Sequence, residues 1–221
     1  MQLELDAGEG EPEELWGLVD ALAIACGGHA GDDAAMTRAI AGCARLGLTA
    51  GAHPSYIDRE GFGRRTIEVA PAVLAEQVFA QCEALARIGR DHGVTIAFAK
   101  PHGALYHDAA REPAIADAVM IGVVRALGAV AIIGPSWGAT KALRDAAVAH
   151  GSRYLREGFA DRALRPDGSL VPLGEPGAVL ADPAAAVAQA RALADRVDTL
   201  CIHGDSPDAL AIARAVRAAL G

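Results

Sequence analysis

"TIAFAKPHGALYH", residues 95–107, sets an apolar run of strand length directly before a lysine, two histidines and a tyrosine. Its meaning turns on whether other apolar runs end the same way, and they do. "LAIAC" (22–26) leads into "GGHAGDD", "LTAGAH" (48–53) ends on His53, and "TLCIHG" (199–204) carries His203. Working outward, short apolar or β-branched runs alternate with stretches of helical period. "LELD" (3–6) precedes 12–20, and the runs at 22–26, 48–53 and 95–100 precede 32–46, 71–92 and 112–127. "AVAIIG" (129–134), "RYLRE" (153–157) and 199–204 precede 138–150, 182–197 and 206–220, which makes seven βα units. In the third helical stretch Leu74, Val78, Cys82 and Leu85 form one apolar stripe beside Glu76, Glu83 and Arg87, the pattern of a helix lying on a sheet by one face. Asp182-Pro183 and Ser206-Pro207 each offer an N-cap oxygen just before a proline at the first helical position.

Strands that alternate with helices run parallel, joined by right-handed crossovers. An open doubly wound sheet gathers its ligand groups at one switch point, whereas here polar residues follow nearly every strand. That favours a closed parallel β/α barrel of TIM-like form, a single domain over 1–221. Two long loops, 54–70 and 157–181, are rich in Gly, Pro and charge, the mark of functional segments.

Composition narrows the partners. Hydrophobic residues make up 52% and charged residues 22%, a folding composition, and the net charge of -8 repels phosphate backbones and anionic lipid. Small molecules and proteins remain. The N-terminus is acidic where an export signal would be basic, and the apolar stretch 118–135 is interrupted by Gly122, Arg125 and Gly128. Cys26, Cys43, Cys82 and Cys201 have no CxxC spacing and read as packed, reduced thiols of a cytoplasmic protein.

Four of the seven histidines, His29, His53, His102 and His203, sit at or just beyond a strand's carboxyl end with glycine or proline beside them, so a barrel gathers them on one face. His92 and His150 lie at helix ends and read as structural. Asp6, Glu9, Asp32, Glu157, Asp161 and Asp205 join the cluster, Asp32 and Asp205 serving equally well as N-caps. Such a mouth suits a divalent metal or metal-free acid–base chemistry. "GPSWGATK" (134–141) lacks the GxxxxGK[ST] spacing of a phosphate-cradling loop, and neither a GxSxG elbow nor a cysteine-triad signature occurs. Lys100, next to Pro101 at a strand end, is placed to bind an anion or polarise a carbonyl.

Together "DAGEG" (6–10), "IACGGHAGD" (24–32), "GAHPSYIDREGFGRR" (51–65), "KPHGALY" (100–106), "FADRALRPDGSLVP" (159–172), "PGAVL" (176–180) and "IHGD" (202–205) resemble the LamB/YcsF family over most of the chain. The resemblance implies a distorted seven-stranded β/α barrel related to polysaccharide deacetylases. It implies a 5-oxoprolinase activity that opens the lactam of 5-oxo-L-proline to L-glutamate with ATP as co-substrate, shared with partner subunits B and C. Glu4, Gly28 and Leu173 depart from the family's usual asparagine, aromatic and basic residue. That chemistry needs a base, oxyanion donors and cations. Asp6, His53, Lys100, His102 and His203 are the catalytic candidates. Glu9, His29, Arg64, Tyr106, Glu157, Asp161, Arg162 and Asp205 are the candidates for meeting substrate and phosphate. A rival reading is a deacetylase of an acetamido substrate holding zinc on Asp6, His29 and His53; another is a component that binds a small acid without turnover. The loop 55–65, with Arg59, Arg64 and Arg65, is expected to lie over the mouth.

Overall fold

Seven short parallel strands close on themselves in chain order in the computed structural model, which describes residues 1–138 and 141–221. They are β1 (Gln2–Ala7), β2 (Ala21–Ala25), β3 (Thr49–His53), β4 (Ile96–Ala99), β5 (Ala131–Pro135), β6 (Tyr154–Phe159) and β7 (Thr199–Ile202). β7 returns to pair with β1, with Glu4 opposite Cys201 and Leu5 opposite Ile202. Around them lie α1 (Asp33–Leu46), α2 (Pro71–Asp91), α3 (Gly103–Arg111), α4 (Pro113–Leu127), α5 (Ala142–Ala149), α6 (Pro183–Leu193) and α7 (Ala209–Leu220). The expected barrel and its seven strands are found. Among the described residues no helix is long and apolar enough to cross a membrane.

Several element boundaries differ from expectation for local reasons. The stretch 12–20 forms only a 3-10 helix, Glu13–Leu18, which buries Leu15 and Trp16 between β1 and β2. Residues 103–111, given no element from sequence, form α3. Its end at Glu112, with extended backbone before Pro113, separates it from α4 because a proline cannot continue the amide ladder. The helix expected over 138–150 begins at Ala142; its first turn would include 139–140, which lie outside the described residues, as does that part of "GPSWGATK". Helices expected over 182–197 and 206–220 shorten to α6 and α7. Asp182 caps α6 through Ala184 N as expected, but Ser206 Oγ accepts from Asp208 N, ahead of the first turn of α7.

Strand alternation sorts the two faces of the sheet. Leu3, Leu5 and Ala7 join the large core between strands and helices, while Glu4 and Asp6 point into the barrel. The interior is layered. Ala21, Ala23, Phe98 and Ile133 make an apolar plug. Small residues admit the Phe98 ring: a Cβ on Gly51 would come within 2.2 Å of it.

Beyond the plug stands a charged layer. The Lys100 ammonium donates to Glu4 Oε1 at 2.8 Å and Glu157 Oε1 at 3.0 Å, pairs with Asp6 Oδ1, and lies 3.4 Å from Cys201 Sγ. All four partners are buried. Burial pushes the Glu4 carboxyl well up despite the opposing Lys100, with Glu157 and Asp6 adding to the rise. For Asp6 burial pulls the same way, but His53 and Lys100 outweigh it and hold the carboxyl well below its usual range. Burial drives the Cys201 thiol well up, so it packs as a neutral group.

Two outcomes follow from this interior. Gly51→Ala should lower stability by about 1–3 kcal/mol through overpacking against Phe98, read as a shift in urea midpoint, and Phe98→Leu in the same chain should restore part of it. Glu4 has a folded pKa above its unfolded one, so its contribution is intact below the unfolded carboxylate range and is lost as pH rises toward the folded value. Glu4→Gln, neutral in both states, should escape that loss. The stability of wild type relative to this variant should fall as pH rises above the unfolded carboxylate value of about 4, and parallel pH profiles would refute the assignment.

Candidate active site

The loop after β2, the end of β3 and the start of α3 bring three of the predicted histidines together. After β2, Gly31 adopts φ +77 where a Cβ would lie 2.2 Å from Ala25 O, so the chain doubles back and turns His29 inward. Arg59 from the following loop fixes that turn, donating to Gly31 O at 2.9 Å and Gly27 O at 3.2 Å. His53 ends β3, and its Nδ1 donates to Lys100 O at 2.8 Å. His102 stands at the N-cap of α3 with its Nε2 donating to Phe62 O at 2.9 Å.

The rings form one group. His29 stacks on His102 with centroids 3.6 Å apart, and His53 meets both edge-on. His102 Nδ1 and His53 Nε2 are 3.0 Å apart, and Glu9 Oε1 lies 2.7 Å from His29 Nε2, 3.5 Å from His102 Nδ1 and 3.7 Å from His53 Nε2. Burial, then the neighbouring His53, holds His29 neutral, down to about 2, and keeps His102 well below its ordinary value.

His203 occupies the opposite side of the mouth. Its Nδ1 donates to Asp161 Oδ1 at 3.0 Å, and its backbone N–H to Oδ2 at 2.8 Å. The ring lies along Phe159, and Nε2 points toward Asp6 Oδ2, 3.7 Å away. Asp161 is buried, which would raise its pKa, but His203 and Arg162 more than offset this and keep it ionised. Asp6 lies between the two sides, 3.4 Å from His53 Nε2.

A cleft of about 550 Å³ opens above the charged layer, lined by Asp6, His53, His102, Tyr106, Arg162 and His203 among others. Glu9, Arg64, Lys100 and Glu157 also reach it; His29 lies behind His102, Asp161 behind His203, and Asp205 on a smaller adjoining pocket of about 100 Å³. Asp205 is no helix cap, since it accepts from Arg162 Nη2 at 2.8 and 3.0 Å, whereas Asp32 does cap α1 through Ala35 N. Arg162 Nη1 and the Tyr106 hydroxyl are buried without a hydrogen-bond partner among the described residues. Leu173 places an apolar side chain on the rim. The Cβ of any larger residue at Gly28 would run into Ser55 Oγ and Gln81 Oε1.

The loop 55–65 does lie over the histidines. Phe62 sits edge-on to His29 and His102, Ala104 N donates to Gly63 O at 2.9 Å, and Asp58 pairs with Arg65 to close the loop. Arg64 rests over the Phe62 ring and lies 3.5 Å from Asp205. Sequence reasoning missed Glu11, whose carboxylate accepts from Gly8 N, Glu9 N and Trp16 Nε1 and so aims Glu9 inward. It also missed Gln81, which accepts from Ser55 N and donates to Ser55 O. A lone amide within the buried face of α2 was the available signal for Gln81.

Comparisons with known proteins agree with this architecture. The LamB/YcsF family model matches residues 5–221. The chain is 42% identical to the 5-oxoprolinase A subunit of Methylococcus capsulatus, over 98% of this chain and 90% of that protein. It is 41% identical to the corresponding 5-oxoprolinase A subunit of Nocardia farcinica, over 100% and 95%. A crystal structure of a lactam utilization protein from Thermus thermophilus superposes with a TM-score of 0.89 at 31% identity, covering 100% of this chain and 95% of that one. With the strand order and mouth described above, these matches establish that the chain belongs to the LamB/YcsF family.

Proposed function

We propose that this chain is the A subunit of an ATP-dependent 5-oxoprolinase, opening the five-membered lactam of 5-oxo-L-proline to L-glutamate together with subunits B and C. The observation that carries the reading is the pairing, on one side of the cleft, of an oriented imidazole with a buried guanidinium nitrogen left free: His203 on Asp161, and Arg162 Nη1, which has no hydrogen-bond partner among the described residues although Nη2 is held by Asp205. The names of the relatives, a lactam utilization protein and 5-oxoprolinase A subunits, support the same substrate class.

A lactam is a resonance-stabilised amide and a poor electrophile. Transfer of the ATP γ-phosphoryl group to its oxygen makes the ring carbon attackable. One water adds there, the ring C–N bond breaks as nitrogen takes a proton, and a second water releases phosphate from the acyl phosphate that remains. In this chain His203 is the base for the attacking water, since Asp161 fixes its tautomer with Nε2 facing the cleft. Arg162 and Arg64 meet the anionic carboxylate or phosphoryl group, and the Tyr106 hydroxyl is a donor for the developing oxyanion. Lys100 acts from beneath, holding Asp6 and Glu157 in place. The sequence has no GxxxxGK[ST] loop, and partner subunits B and C take part of the nucleotide work. Four buried free thiols suit a reducing compartment and favour a cytoplasmic assembly.

Purified chain with ATP and 5-oxoproline should release little glutamate until subunits B and C are added. In the complete assembly His203→Ala should lower the rate roughly 10²–10⁴-fold, while Arg162→Met should act mainly on KM. An assembly that forms no glutamate, or a His203→Ala enzyme with wild-type turnover, would overturn the reading.

A further inference from the structure

We propose that Glu9, His29, His53 and His102 form a site for one divalent transition-metal ion of the zinc class, on the side of the mouth away from His203. The inference stands on the arrangement of these four side chains and does not depend on the lactam reading.

Proton positions make the first argument. A carbonyl oxygen has only lone pairs, so His53 must carry its proton on Nδ1, against Lys100 O, and His102 on Nε2, against Phe62 O. In the neutral rings the inner nitrogens, His53 Nε2 and His102 Nδ1, then present lone pairs to each other at 3.0 Å. Two facing acceptors repel unless a proton on one of them or a shared metal ion separates the lone pairs. His29 Nδ1 has no partner among the described residues, so that ring is free to take whichever tautomer Nε2 requires. A single extra proton on His53 would relieve one contact only, whereas three ring nitrogens and the Glu9 carboxylate are aimed at the same small space.

Spacing makes the second. Four ligands about 2.0–2.1 Å from a tetrahedral ion stand about 3.3 Å apart. The distances of 2.7, 3.0, 3.5 and 3.7 Å among these atoms bracket that value, and all four lie within 4.8 Å of one another. Neutral imidazoles with one carboxylate suit zinc and its neighbours, and ligand histidines commonly donate their outer N–H to backbone carbonyls, as His53 and His102 do. The ligands come from the ends of four consecutive strands, β1 to β4, so the closed barrel holds them in place without a bound ion. This set differs from the one expected from sequence. Asp6 gives Oδ1 to Lys100 and stands beside the group, with Glu9 and His102 completing it. An ion there would supply a Lewis acid for an oxygen in the adjoining cleft.

The test is metal binding, independent of turnover. Wild-type protein stripped with a chelator and dialysed against zinc should retain about one equivalent by elemental analysis, melt higher with zinc than without, and develop visible ligand-field bands when cobalt(II) replaces zinc. His102→Ala and His53→Ala should lose the bound metal. Glu9→Gln, at a partly exposed position and so least costly to folding, should weaken binding at least ~10–100-fold, the range seen for loss of even an outer-shell partner. His203→Ala should bind as wild type, separating this site from Asp6, Cys201 and His203 across the mouth. No zinc uptake by the stripped wild type, or unaltered uptake by a folded Glu9→Gln variant, would overturn the proposal.

Discussion

A lysine ammonium inside a barrel cannot stand alone, because an unpaired charge in a low-dielectric interior costs more than packing can return. Lys100 meets this constraint with Glu4 and Asp6 from β1, Glu157 from β6 and the Cys201 sulfur from β7. One side chain from the end of β4 is thereby tied to three strands on the far side of the barrel. The same residue's carbonyl holds the outer nitrogen of His53, and two residues later the chain starts α3 with His102. The charged layer and the histidine group are therefore two faces of one arrangement: side chain downward, backbone upward.

The mouth divides into halves of different chemical character. On one side three imidazoles crowd together under Phe62, two of them held by backbone carbonyls. On the other His203 is oriented by an ionised carboxylate beside two arginines. Asp6 stands between them within 4 Å of both. A ligand in the cleft thus meets a carboxylate flanked by two unlike histidine environments, which suits a reaction that must handle a proton and an anion in separate places.

Much of this was legible in the sequence. Alternation of short apolar runs with amphipathic stretches gave the parallel barrel, since only helices returning the chain can join parallel strands. The histidines after the strands gave the mouth, because all strand ends of such a barrel face one way. What escaped was set by distance in sequence rather than by pattern. Glu4 and Lys100 are neighbours only once β1 and β4 line the same interior. Asp161 and Asp205 read from sequence as members of the mouth, Asp205 equally as a helix cap, but their partners show only once β7 brings His203 beside Asp161 and Arg162 claims Asp205. The helix over 103–111 went unassigned because it ends too soon, before Pro113, to establish a period.

The pairing of β7 with β1 has one more effect. A closed cylinder leaves no strand with a free row of amide and carbonyl groups, so among the described strands there is no template on which another chain could add its own. Sheet extension and edge-to-edge aggregation are both denied at the level of backbone topology. Whatever assembles with this chain must recognise side chains, on the outer helices or on the loops around the mouth, and its specificity can be altered by surface substitutions that leave the cylinder intact.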